Sequence, residues 1–275
     1  MERLTEADSP KDFCEFDDPE EFEGAAYTGF AQVYDEFMDN IPYDEWVDYL
    51  AGLLEDHGIH DGIIAELGCG TGSVTERLSA RGYDMIGIDN SEEMLMIARE
   101  KAPVDSGILY LEQDMRSFEL FGTVRAVVSI CDSMNYLLTD HDLVQVMKLV
   151  NNYLDPGGLF IFDLKTVFNY QEILGTQVFA ENREDNSYIW VNSYDPETRI
   201  NQYDLTLFVQ EYEDEEDLFR RYEETHYQKA WTLDEIMKAA DEAGMRFLKA
   251  YHAFSREDPR PESERIYVIL QEQGK

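Results

Sequence analysis

The residues best suited to chemistry lie in one short run, Ala65-Glu66-Leu67-Gly68-Cys69-Gly70-Thr71-Gly72. Three alternating glycines follow an apolar stretch. Glycines there let the backbone turn tightly and come close to a bound molecule. A helix that starts just after such a loop presents unpaired N–H groups at its first turn. The spacing is GxGxG rather than GxGxxG. Taken alone, it serves nucleotide-type cofactors and plain strand-to-helix turns alike. Two carboxylates narrow the choice. Asp89, 21 residues after Gly68, closes the next strand and can accept hydrogen bonds from both hydroxyls of a ribose. Asp114, in Gln113-Asp114-Met115, follows the third strand and can accept from an adenine amino group. Met94 and Met115 are candidates to sandwich an adenine ring, with core packing as the competing reading for each.

A second group could face a substrate. Asp132, Asn135 and Tyr136 sit in Cys131-Asp132-Ser133-Met134-Asn135-Tyr136, just past the fourth strand. Ligands bind at that edge of open α/β sheets. Asp132 could equally cap a loop. His226, in Glu224-Thr225-His226-Tyr227-Gln228, is a candidate base or orienting group, against the reading of a histidine satisfied in the core or at the surface. Tyr27 and Tyr34 are candidates for a helical lid, or for aromatic packing. Cys69 reads as a small loop residue, since no base lies nearby in sequence. No metal is needed, and no Cys/His cluster has metal-binding spacing.

Elements of alternating type must position these residues. Phe30, Val33, Tyr34 and Phe37 recur at helical spacing, and Trp46, Val47, Leu50, Leu53 and Leu54 mark a second helix beyond Pro42. Strands are expected at 63–67, 84–88, 108–111, 126–130 and 159–164. Helices are expected at 73–80, after Ser91 as N-cap, and at 140–153. Asp155-Pro156-Gly157-Gly158 is the stop before the fifth strand. Beyond residue 175 the pattern changes to an antiparallel meander at 188–194, 199–210 and 218–228, with Asp195-Pro196-Glu197-Thr198 as a turn. The acidic run 211–217 reads as a solvated turn. A helix at 232–243 and strands at 247–253 and 265–271 complete the chain.

Composition excludes several partners. Fifty-nine acidic residues against 22 basic ones give a formal net charge of −37. Such a surface repels phosphate backbones and anionic membranes, so nucleic acid and membrane partners are disfavoured. A small molecule is the expected partner, and the oligomeric state stays open. Three scattered cysteines and an acidic N-terminus with no apolar h-region suit the cytoplasm.

Glu66 to Gly72 resembles the first motif of class I methyltransferases that use S-adenosylmethionine (SAM). Gly87-Ile88-Asp89-Asn90-Ser91-Glu92-Glu93-Met94-Leu95 resembles their next motif, Gln113-Asp114-Met115 their adenine-contacting segment, and Pro156-Gly157-Gly158 the turn before their fifth strand. The Tyr34-Asp35, 42–46 and 131–136 segments resemble a bacterial, small-molecule-type subgroup, the YqeM-like proteins. More distantly, the chain is similar to sugar-amine and glycine N-methyltransferases. The resemblance implies an α/β fold: a Rossmann-like class I methyltransferase sheet with helices on both faces and an antiparallel β insertion after the fifth strand. Residues 1–23, rich in acidic and poor in aliphatic residues, read as an acidic tail that departs from the family pattern; the resemblance implies a SAM-binding core with a helical lid at 24–175, an insertion covering the acceptor at 176–230, and completion of the core at 231–275. It implies methyl transfer from SAM to a nitrogen or oxygen of a small molecule, releasing S-adenosylhomocysteine (SAH). The implied cofactor set is Tyr27, Tyr34, Glu66, Gly68, Cys69, Gly70, Gly72, Asp89, Asn90, Met94, Gln113, Asp114, Met115 and Cys131. A nicotinamide-dependent dehydrogenase and a non-catalytic SAM-binding scaffold are the alternatives.

Overall fold

The computed structural model describes residues 30–211 and 218–275. The expected acidic tail, Tyr27 and most of the acidic turn lie outside the described residues. Two helices come first, α1 (Ala31–Phe37) and α2 (Tyr43–Asp56). The chain then alternates through β1 (Ile63–Leu67), α3 (Ser73–Ala80), β2 (Asp84–Asp89), α4 (Glu92–Lys101), β3 (Leu109–Glu112), β4 (Val124–Ser129), α5 (Asp140–Tyr153) and β5 (Leu154–Lys165). An antiparallel set follows: β6 (Val178–Asn182), β7 (Asn186–Asp195), β8 (Ile200–Glu211) and β9 (Leu218–Lys229). Helix α6 (Leu233–Glu242), β10 (Arg246–His252) and β11 (Arg265–Gln271) return to the first sheet.

That first sheet has seven strands in the order β3-β2-β1-β4-β5-β11-β10. The pairs among β1 to β5 are parallel, whereas β11 runs antiparallel to both β5 and β10. Side chains alternate across a strand, so a sheet covered on both faces needs apolar residues at every position. Phe160 and Phe162 accordingly pack with α5 and α6, through Val146, Met147 and Ile236. Leu159 and Ile161 pack on the other face with α2 and α3, through Leu50, Leu53 and Leu78. The strand order reverses between β1 and β4, which opens a crevice at their carboxyl ends.

Most of the expected elements recur within a residue or two. Ser91 Oγ accepts from Met94 N, and Thr232 with Glu235 forms a capping box on α6. Three features differ. The fifth strand starts at Leu154, not after the Pro-Gly-Gly turn. Leu154 already pairs with Val124, and the next pair, Ala126 with Leu159, is reached only after the turn loops out. β6 was not anticipated; it is five residues long with no fully buried side chain, so its pattern is faint. Short turns at Ser133–Tyr136 and Asn169–Leu174 were also unforeseen.

The second sheet has the order β6-β7-β8-β9. A buried side chain helps fasten it to the first. Asn135, fully buried, donates through Nδ2 to the carbonyls of Lys165 (3.1 Å) and Lys229 (2.8 Å), and its Oδ1 accepts from Lys165 N (3.0 Å). Those bonds join the end of β4 to β5 and β9. Asn135→Ala would strand three backbone groups, each costing on the order of 1 kcal/mol or more. We expect it to lower unfolding free energy by about 2–4 kcal/mol in urea titrations; an unchanged midpoint would show that the staple is dispensable.

Candidate functional site

The glycine loop crosses the end of β2. Gly68 N (2.8 Å) and Cys69 N (3.0 Å) both donate to Ile88 O. Gly72 has φ +78°, and a Cβ there would lie 2.4 Å from the Tyr110 hydroxyl oxygen, so the position takes only glycine. Gly70 is different. Its φ is also positive, at +52°, yet nothing lies within 4 Å of where its Cβ would be. Protein packing explains Gly72, and open space flanks Gly70.

Asp89 closes this loop. Its Oδ2 accepts from Gly70 N (2.8 Å) and its Oδ1 from Ser91 N (3.0 Å). Burial raises its pKa, while the Ser91, Gly70 and Asn90 amides pull the other way. Glu66 lies beneath, buried, with Thr75 Oγ1 donating to it. Burial raises its pKa to about 8 against that hydrogen bond, and the nearby Asp89 charge adds to the rise. Burial therefore favours the neutral form of Glu66, which braces the loop from beneath through Thr75.

The other expected cofactor residues divide. Asp114 is engaged by Arg116, with Nη2 at 2.6 Å and Nε at 3.0 Å from Oδ2. Burial pushes the Asp114 carboxyl up, but the Arg116 bonds outweigh it and hold it below the usual range. The Gln113 side chain braces its own loop: Nε2 donates to Glu119 O (3.2 Å), and Oε1 accepts from Glu119 N (2.6 Å). Asn90 is exposed, Met94 is buried, and Met115 is half-buried against the core. Tyr34 packs edge-on against Phe30, with ring centroids 5.2 Å apart. Cys69 is buried within the loop, and Cys131 is half-buried at the end of β4.

Cys131 and Asp132 both lie in the left-handed region, at φ +63° and +57°. Two such non-glycine residues in succession store strain, and strain of this kind concentrates at working sites. Here it turns Asp132 into an ionic cluster. Arg265 Nη2 reaches Oδ1 at 2.7 Å, while Lys165 Nζ (3.0 Å) and Gln228 Nε2 (2.9 Å) reach Oδ2. Arg265 also pairs with Asp163. Burial opposes ionisation of Asp132, but Lys165 and Arg265 overcome it and hold the pKa at about 2. Asp132, expected as a catalytic residue, sits in this ionic cluster. A carboxylate that acidic and that fully engaged is a poor base near neutrality. Asn135, also expected as catalytic, has its amide committed to three backbone groups, as described above. Both position the turn that presents Tyr136.

Tyr136 and His226, 90 residues apart, meet. The Tyr136 hydroxyl is 2.5 Å from the Tyr203 hydroxyl and 3.2 Å from His226 Nδ1. His226 Nε2 is 3.2 Å from Glu224 Oε2, and the ring stacks on Tyr203 at 5.0 Å and 16°. Glu224 Oε1 accepts from Phe30 N at the start of α1 (3.0 Å). A carboxylate at Nε2 favours the tautomer with its proton there and leaves Nδ1 to accept from Tyr136. Glu224, His226 and Gln228 are 6%, 2% and 1% exposed, a buried polar stripe on one face of β9. Sequence reasoning passed over Glu224 and Tyr203. The period-2 spacing of Glu224-Thr225-His226-Tyr227-Gln228 was the available signal for Glu224. Nothing local marked Tyr203.

The chain is similar to known methyltransferases in sequence and in fold. A methyltransferase-domain sequence family matches residues 64–158. The methyltransferase-family protein YqeM of Bacillus subtilis is 36% identical over 246 residues, which is 89% of this chain and 96% of the relative. A SAM-dependent methyltransferase from Clostridium acetobutylicum superposes with a TM-score of 0.77 at 25% identity, covering 90% of this chain and 99% of the other. An amino pentose methyltransferase from Micromonospora echinaspora superposes with a TM-score of 0.68 at 17% identity, covering 91% and 99%.

Two measurements test the site. Asp89→Ala should weaken SAH binding at least tenfold by calorimetry, roughly the loss of one charge-assisted hydrogen bond; wild-type affinity in the variant would remove Asp89 from the site. For Asp132, the folded pKa of about 2 lies below the unfolded value of about 3.9, so its stabilising contribution is complete above about pH 4 and is lost as pH falls toward 2. The stability gap between wild type and Asp132→Asn should therefore shrink by about 2 kcal/mol between pH 5 and pH 2, and a pH-independent gap would contradict the ion pairing.

Proposed function

Because the chain belongs to the SAM-dependent methyltransferases, in the family of YqeM, we propose that it methylates a nitrogen of a small-molecule amine in the cytoplasm, and that Tyr136, His226 and Glu224 take up the proton. Family membership sets aside the dehydrogenase alternative. The observation that carries the amine reading is the Glu224–His226–Tyr136–Tyr203 chain, which joins the turn after β4 to β8 and β9 of the second sheet. The amino pentose methyltransferase neighbour adds support for an amine. So does the net charge of −37, which attracts cations to the surface.

The open flank of Gly70 and the remaining lone pairs of Asp89 fit an adenosyl group, with Asp114 and Met115 on the adenine side. SAM supplies a methyl group already activated on a sulfonium sulfur. The protein's task is to align a nucleophile, exclude water and accept a proton. An ammonium acceptor must first lose a proton. Tyr136 Oη takes it while the Tyr136 proton passes to His226 Nδ1. Glu224 stabilises the resulting imidazolium. The freed nitrogen lone pair then bonds the methyl carbon, and the S–C bond pair remains on sulfur in SAH. The Asp132 cluster and Asn135 hold Tyr136 in place and take no proton.

The test is SAH release from SAM with a panel of primary and secondary amines, amino sugars and alcohols. At least one amine should turn over. With that amine, Tyr136→Phe and His226→Gln should each lower kcat about 100-fold. Turnover of alcohols alone would make the acceptor an oxygen. Tight SAH binding with no turnover across the panel would favour the scaffold alternative.

A further inference from the structure

We infer that α1 is a strap that couples the cofactor loop to the second sheet, with Asp35 as its positioning residue at the loop. The inference rests on reading the glycine loop as the SAM seat. One face of α1 grips that loop. Asp35 Oδ1 accepts from Thr71 Oγ1 (2.6 Å), and Asp35 Oδ2 accepts from Lys101 Nζ (2.6 Å) at the end of α4. Lys101 Nζ also reaches Thr71 Oγ1 (3.4 Å) and Ser73 Oγ (3.3 Å), so one carboxylate and one ammonium tie three elements together. Thr71 is buried, between Gly70 and Gly72.

The other side of α1 belongs to the second sheet. Val33 and Phe37 pack with Leu205 and Leu207, and Phe37 meets Tyr188 edge-on at 4.8 Å. Asn186 Nδ2 donates to Glu36 Oε2 (2.6 Å). Arg183 Nη1 donates to Glu36 O (2.5 Å) and forms a two-point pair with Asp39 at 2.8 and 3.0 Å. The start of the strap, Phe30 N, donates to Glu224 of the proposed proton-accepting chain.

A seven-residue helix has too few internal hydrogen bonds to hold itself. Its position is set by the two surfaces it joins. Loosening either surface frees the strap from the other, and this is a coupling free energy between two sites. Occupancy of the loop by cofactor should then firm the second sheet, and damage at the far end of α1 should weaken cofactor binding.

The experiment uses the full chain and SAH as the probe. Asp35→Asn and Thr71→Val should bind SAH about tenfold more weakly, mainly through faster dissociation, whereas Thr71→Ser, which keeps the hydroxyl, should bind like wild type. Asn186→Ala and Arg183→Met, which touch α1 but not the loop, should weaken SAH about fivefold. In hydrogen exchange, SAH should protect amides of α1 and β8 in wild type and not in Asp35→Asn. If Asp35→Asn fails to fold by circular dichroism, the Thr71→Val and Thr71→Ser pair carries the same test. Wild-type affinity in the Arg183 and Asn186 variants, or protection confined to the loop, would overturn the strap and leave the cofactor seat standing. Failure of the wild type itself to bind SAH would overturn both.

Discussion

The carboxylate of Asp132 has been drawn largely out of water, its side chain 13% exposed, and the groups around it answer that constraint. A buried charge is costly unless it is paired and hydrogen-bonded. Its partners come from β5 (Lys165), β9 (Gln228) and β11 (Arg265). Three strands from distant parts of the chain must therefore end at one place. The two left-handed residues that precede the turn are tolerated because this cluster fixes the backbone from all sides. Asp163, fully buried behind, shares Arg265, and burial together with the Asp132 charge pushes its own carboxyl up. The cluster thus holds one strongly acidic and one weakly acidic carboxyl against the same guanidinium.

The reactive geometry follows from that anchor. The Asp132 turn and the Asn135 staple fix the segment that carries Tyr136, and β9 brings the polar stripe of Glu224, His226 and Gln228 down onto it. Gln228 joins the ionic cluster, while His226 and Glu224, further along the same face, form the proposed proton-accepting chain. A single strand therefore both helps lock the second sheet to the first and carries the groups proposed to take up the proton. Tyr170, buried on the other side of Gln228, donates its hydroxyl to Oε1 (2.8 Å) and completes the strand's seat.

The parts written in local sequence were readable in advance. The alternating glycines, the caps at Ser91 and Thr232, and the five parallel strands each depend on residues a few positions apart, and each appears in the fold. What escaped was written in long-range pairs. Asp132 and Asn135 stand at the edge where ligands bind, so they look catalytic in sequence. Only partners 96 and 133 residues away show that the Asp132 carboxylate is already engaged. Gln113 belongs to a motif that resembles an adenine contact, yet its amide braces Glu119. Glu224 and Tyr203 gain meaning only once β8 and β9 pair, with Tyr203 opposite His226 in register. Asp35 was visible as part of Tyr34-Asp35, but its link to Thr71 needs the folded chain.

One detail of the glycine loop bears on self-damage. Cys69 lies in the segment that would cradle an electrophilic methyl donor, and a thiolate is the form of cysteine that attacks such carbon. Burial raises the Cys69 pKa well above its ordinary value, and the charge of Asp89 raises it further. The sulfur therefore stays protonated and weakly nucleophilic. The carboxylate that grips the loop thus also disfavours the thiolate that such a donor would alkylate.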